Sequence, residues 1–368
     1  MIVGSLGRIP VGAFTDRYGG RIMFPIISFA SVVPTLFLGL GGTRSLAGLL
    51  VGGFFLGIAG TVFAAGIPLV SSWYPPQRRG FVLGVFGAGM GGTAISALTT
   101  VRLVDRFSTR TPFVLTAAVL VVYGIVAWMV LRDFPGRTRP TEPLARRLAA
   151  TVRLPITLQA SALYAVAFGG YVAFSVYLPT YLKTAYGLTP TDAANRMAGF
   201  VLVAVVLRPV GGWLSDRLGA VPVLAVALAV VTACATVAAF TPTLVPVGTI
   251  AFLAMAGALG AGAGATFALV AERAPAALVG GVTGVVGAAG GLGGFVPPLL
   301  MGSLYARFSD YGIGLGLLAA VAAAAAVFTV TAVRRPAAVQ GLTAPEDATL
   351  LRLGRFFRAT RRCRRTCG

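Results

Sequence analysis

The chain is 368 residues long, 57% hydrophobic and only 11% charged, with mean hydropathy +0.88 and a formal net charge of +20. An ordinary soluble domain carries roughly 25% charged residues, so this composition excludes a large soluble core and indicates a polytopic membrane protein. Histidine is absent, and Cys234, Cys363 and Cys367 lack paired metal spacing, so no zinc site, disulfide framework or other cofactor is expected.

In chain order, apolar runs able to cross a hydrocarbon core of about 30 Å are predicted at 1–15, 22–42, 45–72, 81–101, 112–131, 157–182, 197–214, 220–241, 246–270, 280–303 and 311–332. The fold class expected is an all-α polytopic membrane protein with eleven visible spans of twelve, the first helix missing ahead of Met1. A polar stretch, RDFPGRTRPTEPLARRLAATVRLP, interrupts the spans after 131. The organisation predicted is therefore an N-terminal bundle over 1–131, a cytoplasmic central loop over 132–156, a six-helix bundle over 157–332 and a basic tail over 333–368.

The loops around 17–21, 74–80, 132–156, 217–219 and 271–279, with the tail, hold 21 of the 30 Arg and Lys residues. The opposite loops hold seven: Arg44, Arg102, Arg106, Arg110, Lys183, Arg196 and Arg307. Basic loops face the cytoplasm, which places the first set and the C-terminus there. The net charge thus expresses orientation rather than nucleic-acid binding, and the tail RFFRATRRCRRTCG suits anionic lipid.

Two segments repeat at an offset of 200. Arg8, Asp16, Arg17 and Gly19 in GRIPVGAFTDRYGGR, which ends at Arg21, match Arg208, Asp216, Arg217 and Gly219 in LRPVGGWLSDRLG. The same offset relates Gly80, Gly84, Gly87 and Gly91 to Gly280, Gly284, Gly287 and Gly291. Two related halves are expected of a secondary transporter with its site at the repeat interface. Glycine stripes permit close helix packing, and whether these also serve rocking of the halves stays open. No GKS or GKT follows, which excludes a P-loop.

Asp16 and Asp216 mark cytoplasmic helix ends, and eight helical residues rise about 12 Å. Arg8 and Arg208 are therefore expected near mid-membrane, where a charged residue is costly and faces a cavity, a partner or substrate. No carboxylate lies near mid-span in any predicted helix: Asp105 is near a helix end, and Asp133, Glu142, Asp192, Glu272 and Asp310 belong to loops. A small planar oxyanion would suit two guanidinium forks, whereas bonding to backbone carbonyls would satisfy them structurally. Tyr164 and Phe168 share a helix face at a spacing of four, and Phe63 is flanked by small residues. Each aromatic serves either packing or the wall of an anion slot.

The DRxGGR loop resembles the signature of the major facilitator superfamily. RIPVGAFTDRYGGR, YVAFSVYLPTYLKTAYGLT, RPVGGWLSDRLG and VTGVVGAAGGLGGF together resemble the nitrate/nitrite porter family. The resemblance implies a twelve-span fold that moves nitrate, nitrite or both by alternating access. It also implies substrate-clamping arginines at Arg8 and Arg208 and cavity aromatics at Phe63, Tyr164 and Phe168. The family's early glycine signature commonly carries an asparagine; here GAGMGGT has Met90. Nitrate/nitrite exchange by a monomer in the cytoplasmic membrane is expected, since no histidine or mid-span acid offers a proton carrier. The alternatives are a facilitator for another organic anion or a drug, and a transport-inactive membrane partner or sensor.

Overall fold

The computed structural model describes residues 2–136, 144–275 and 278–333, and it is helical throughout. Among the described residues, ten helices are long and apolar enough to cross a membrane. The eleven spans expected are thus not matched: the stretch expected as the first span is α1 (Ile2–Leu6) and α2 (Arg8–Tyr18), each too short to count among the ten. Gly7 between these has helical φ −61° and ψ −20°, and its N–H donates to the Val3 carbonyl at 2.8 Å, so the two run on as one rod. The ten are α3 (Gly20–Leu40), α4 (Leu46–Ser72), α5 (Arg79–Arg106) and α6 (Thr111–Val130), then, after α7 (Leu144–Arg153), α8 (Pro155–Tyr186), α9 (Pro190–Leu218), α10 (Ala220–Ala239), α11 (Leu244–Arg273), α12 (Val279–Phe308) and α13 (Gly312–Val333). Large apolar side chains such as Val33, 71% exposed, and Phe240, 80% exposed, cover the outside. Lipid, not water, is the solvent suited to such a surface.

Three further expectations need correction. The loop expected over 17–21 shrinks to Gly19, because α2 continues through Arg17 and Tyr18 and α3 begins at Gly20. Gly19 turns the chain within one residue at φ 94° and ψ 155°, and Gly219 repeats this at φ 88° and ψ 151°. That backbone region is open essentially to glycine alone. Next, the stretch 132–156 is not loop throughout, since it contains the amphipathic helix α7. Thr151 of α7 is 1% exposed, lies against Gly281, and accepts a 2.7 Å hydrogen bond at its carbonyl from Thr157 Oγ1. Lastly, α9 starts at Pro190 rather than 197, with the Thr189 hydroxyl accepting from the Asp192 N–H at 3.2 Å. Hydrogen bonding carries a helix past the end of its apolar run, so hydropathy underestimates its length. Glu142 and the tail with Cys363 and Cys367 lie outside the described residues.

The 200-residue repeat becomes a pair of reciprocal contacts. Gly284 of α12 lies against the Arg8 carbonyl of α2, while Gly84 of α5 lies against the Arg208 carbonyl of α9. Gly280 faces Gly12, and Gly80 faces Gly212, in each case backbone against backbone. Each stripe therefore packs across to the other set of helices, where any side chain would hold the rods apart. Gly169 and Gly293 make a similar approach within the second set, between α8 and α12.

Candidate functional site

Arg8 opens α2 and Arg208 sits midway along α9; they are 8% and 4% exposed. Arg8 donates Nε to the Gly60 carbonyl at 2.9 Å and Nη1 to the Gly287 carbonyl at 2.6 Å. Arg208 donates Nη2 to the Tyr164 hydroxyl at 3.1 Å and Nη1 to the Met90 thioether at 3.5 Å. Its Nε is buried and has no acceptor among the described residues. All four of these acceptors are uncharged.

The two guanidiniums share their walls. The Arg8 carbon Cζ lies 5.9 Å from the Phe63 ring centre and 5.7 Å from that of Phe168. For Arg208 the same distances are 5.8 and 5.6 Å, and Phe267 is a third ring at 6.0 Å. Such distances allow cation–π attraction, which strengthens when the pair is desolvated. Tyr164 and Phe168, one turn apart on α8, stack with centres 4.7 Å apart and planes 1° from parallel. Phe267 of α11 meets the edge of Tyr164 at 4.7 Å, and Phe86 of α5 meets Phe63 at 5.2 Å. Small residues make this room: Gly87 lies against the Arg208 side chain, Gly287 against Arg8, and Gly290 against Tyr164 and Phe168.

Thus Arg8, Arg208, Phe63, Tyr164 and Phe168 are brought together. Phe267, Phe86 and the Gly60 carbonyl join them without having been singled out in the sequence. The repeat held one available signal: Phe267 follows Phe63 in the paired helices α4 and α11, four positions off the 200-residue register. The Gly60 carbonyl left no signal, because every residue carries a carbonyl.

The second group of predicted residues lies at the α2–α3 and α9–α10 turns. Asp216 accepts from the Gly80 and Phe81 N–H groups at 2.9 and 2.8 Å, capping the start of α5, and the Asp16 carboxylate lies against Gly280 at the start of α12. A carboxylate at a helix N-terminus is favoured by the helix dipole and the free N–H groups. Arg217 lies over the Trp213 ring at 4.2 Å and Arg17 over Tyr18 at 5.6 Å. The Arg21 N–H donates to Asp133 Oδ1 at 3.1 Å, joining the turn to the end of α6. Gly91 faces Val205 and Gly291 faces Ser5, which extends each stripe past the arginines.

The family model for the Major Facilitator Superfamily matches residues 1–194 and 160–362. A probable nitrate/nitrite transporter, NarK2, of Mycobacterium tuberculosis is 49% identical over 338 residues, covering 91% of this chain and 86% of its own. The chain belongs to the nitrate/nitrite porter family of the major facilitator superfamily. A nitrite extrusion protein of Bacillus subtilis is 34% identical over 332 residues, with 90% of this porter and 82% of the relative covered. Among solved structures, the human organic anion transporter MFSD10 superposes on the porter with TM-score 0.72 at 14% identity, over 89% of this chain and 81% of that one. The Escherichia coli fucose:proton symporter does so with TM-score 0.69 at 18% identity, over 88% and 86%. Those two likenesses concern the fold alone. The porter is a multi-pass secondary transporter, not an enzyme.

Proposed function

We propose that this porter exchanges nitrate and nitrite across the cytoplasmic membrane, holding the anion between Arg208 and Arg8 and walling it with Phe63, Tyr164 and Phe168. The observation that carries this reading is the buried Arg208 Nε, without an acceptor among the described residues, beside a second guanidinium that donates to two neutral carbonyls. A planar oxyanion supplies the missing acceptor and the missing negative charge together. The names of the Mycobacterium and Bacillus relatives support the choice of nitrate and nitrite.

In this reading residues 1–131 rock against 157–332, with the rod Ile2–Tyr18 acting as an eleventh span. Asp16 and Asp216 close the cytoplasmic side, aided by the turns at Arg17, Gly19, Arg21, Arg217 and Gly219. The stripes Gly84, Gly87, Gly91 and Gly284, Gly287, Gly291 let the two sets slide. An anion relieves the repulsion between the two cations and permits closure; reopening empty would leave both buried and unneutralised. Exchange follows from that asymmetry. The porter works as a monomer with its C-terminus in the cytoplasm, where the tail over 333–368 meets anionic lipid.

The test is uptake of labelled nitrate into proteoliposomes, either loaded with nitrite or empty. Uptake into loaded vesicles alone, lost in both Arg8→Ala and Arg208→Ala, is expected. Equal uptake into empty vesicles would refute exchange. Silence toward both anions, with transport of a larger organic anion, would overturn the substrate.

A further inference from the structure

The donors of the two arginines are not used alike. Arg8 commits Nε and Nη1 to backbone carbonyls that the folded helices hold in place. Arg208 has one good acceptor, the Tyr164 hydroxyl, and one poor one, the Met90 sulfur at 3.5 Å. A thioether accepts weakly and its side chain re-orients easily. Whatever arrives at Arg208 therefore displaces little on the Nη1 side and nothing at Nε.

Met90 lies in the tightened stretch Ala88–Gly91 of α5, and Gly87 just before it is where the Arg208 side chain passes. The same short segment thus accommodates the guanidinium by the absence of a side chain at 87 and touches it with a sulfur at 90. The repeat does not demand this. Its partner position is Gly290, whose bare backbone makes room for Tyr164 and Phe168. A long side chain at 90 is thus a feature of one half alone, and it reaches the arginine whose hydrogen bonding is incomplete.

The geometry points to Met90 as the residue that sets anion affinity: its Sδ is a placeholder acceptor for Arg208 Nη1, yielded when the anion binds. This rests on the reading of Arg208 as an anion anchor. The strength of the acceptor at 90 then enters the binding equilibrium as a displacement cost. That cost is the same for any anion that displaces it, so nitrate and nitrite shift together. A residue that merely filled space, or that touched the anion directly, would not behave so.

The experiment measures KM and maximal rate for nitrate and for nitrite in proteoliposomes of the wild type, Met90→Leu and Met90→Gln. Leucine keeps the bulk and removes the acceptor, and KM should fall about threefold for both anions. Glutamine brings an amide oxygen, a stronger acceptor, and KM should rise about tenfold for both, a difference of about 1.4 kcal/mol. Unchanged KM in Met90→Leu, shifts of one sign in both variants, or an altered nitrate-to-nitrite ratio would overturn the assignment. If Met90→Gln does not accumulate, Met90→Leu decides alone, because a packing role leaves it at the wild-type KM. Transport of nitrate and nitrite that survives Arg208→Ala refutes the anion anchor itself, whereas a wild type that depends on Arg208 with unmoved Met90 variants refutes only the role of Met90.

Discussion

Arg8 and Arg208 were legible as a pair from their spacing to Asp16 and Asp216, yet their surroundings make them unequal. Arg8 ties α2 to Gly60 of α4 and Gly287 of α12, so it is part of the scaffold as well as the site. Lysine offers a single ammonium where a rigid fork served two carbonyls. Arg8→Lys should therefore lose stability as well as transport, by about 1–3 kcal/mol for a carbonyl left unsatisfied. Arg208 has no acceptor for its Nε among the described residues, so Arg208→Lys should mainly lose affinity, by tenfold or more in KM. Thermal melting of the solubilised protein beside nitrate uptake separates the two, and equal melting curves for both variants would contradict this division. The aromatic walls were less legible. Spacing alone left Phe63 and Phe168 open between packing and cavity wall, and the fold places each within 6 Å of two cations.

The helices α5 and α12 each begin beside a carboxylate from the opposite repeat. For α5 the contact is direct, with Asp216 taking two N–H groups of its first turn. Removing the charge while keeping the shape, as in Asp216→Asn, weakens both the dipole interaction and the charge-assisted bonds. The cytoplasmic side should then open more often. A cysteine at Ala268, 7% exposed and next to Gly80, would report this as several-fold faster maleimide labelling in the Asp216→Asn background. An unchanged rate would count against Asp216 as a cytoplasmic closure. The sequence showed these elements with edges misplaced, because hydropathy detects lipid-facing length and is blind to polar turns that remain hydrogen bonded. It missed α7 for a related reason: an Arg-rich segment between two prolines reads as loop, although Leu148, Thr151 and Val152 already had helical spacing.

The reciprocal packing of α2 on α12 and of α9 on α5 joins the two sets of helices along surfaces lined by glycine, which the proposed rocking would use as its sliding surface. Rocking requires that these contacts slide, and a covalent tie should stop it. Gly91 on α5 faces Val205 on α9, where a Cβ would stand 3.4 Å from the nearest methyl, close enough for a disulfide. With Cys234, Cys363 and Cys367 replaced by serine, Gly91→Cys with Val205→Cys should transport when reduced, stop when oxidised and recover with reductant. Transport undiminished by a complete cross-link would show that this interface does not move.

From the sequence alone came the membrane class, the ten long spans with approximate edges, the repeat at 200 and the paired arginines. These are read from composition, periodicity and spacing, and each is a property of residues near one another in the chain. The family resemblance then favoured a cavity role over packing for the three aromatic rings already picked out by spacing. Only the tertiary structure decided that the glycine stripes cross between the sets, that Phe63 and Phe168 lie near both cations, and that Arg8 Nε has a carbonyl acceptor while Arg208 Nε has none among the described residues. Those facts depend on which backbone carbonyl or sulfur lies within about 3.5 Å of a guanidinium, and chain-distant contacts of that kind leave no periodic trace in a single sequence.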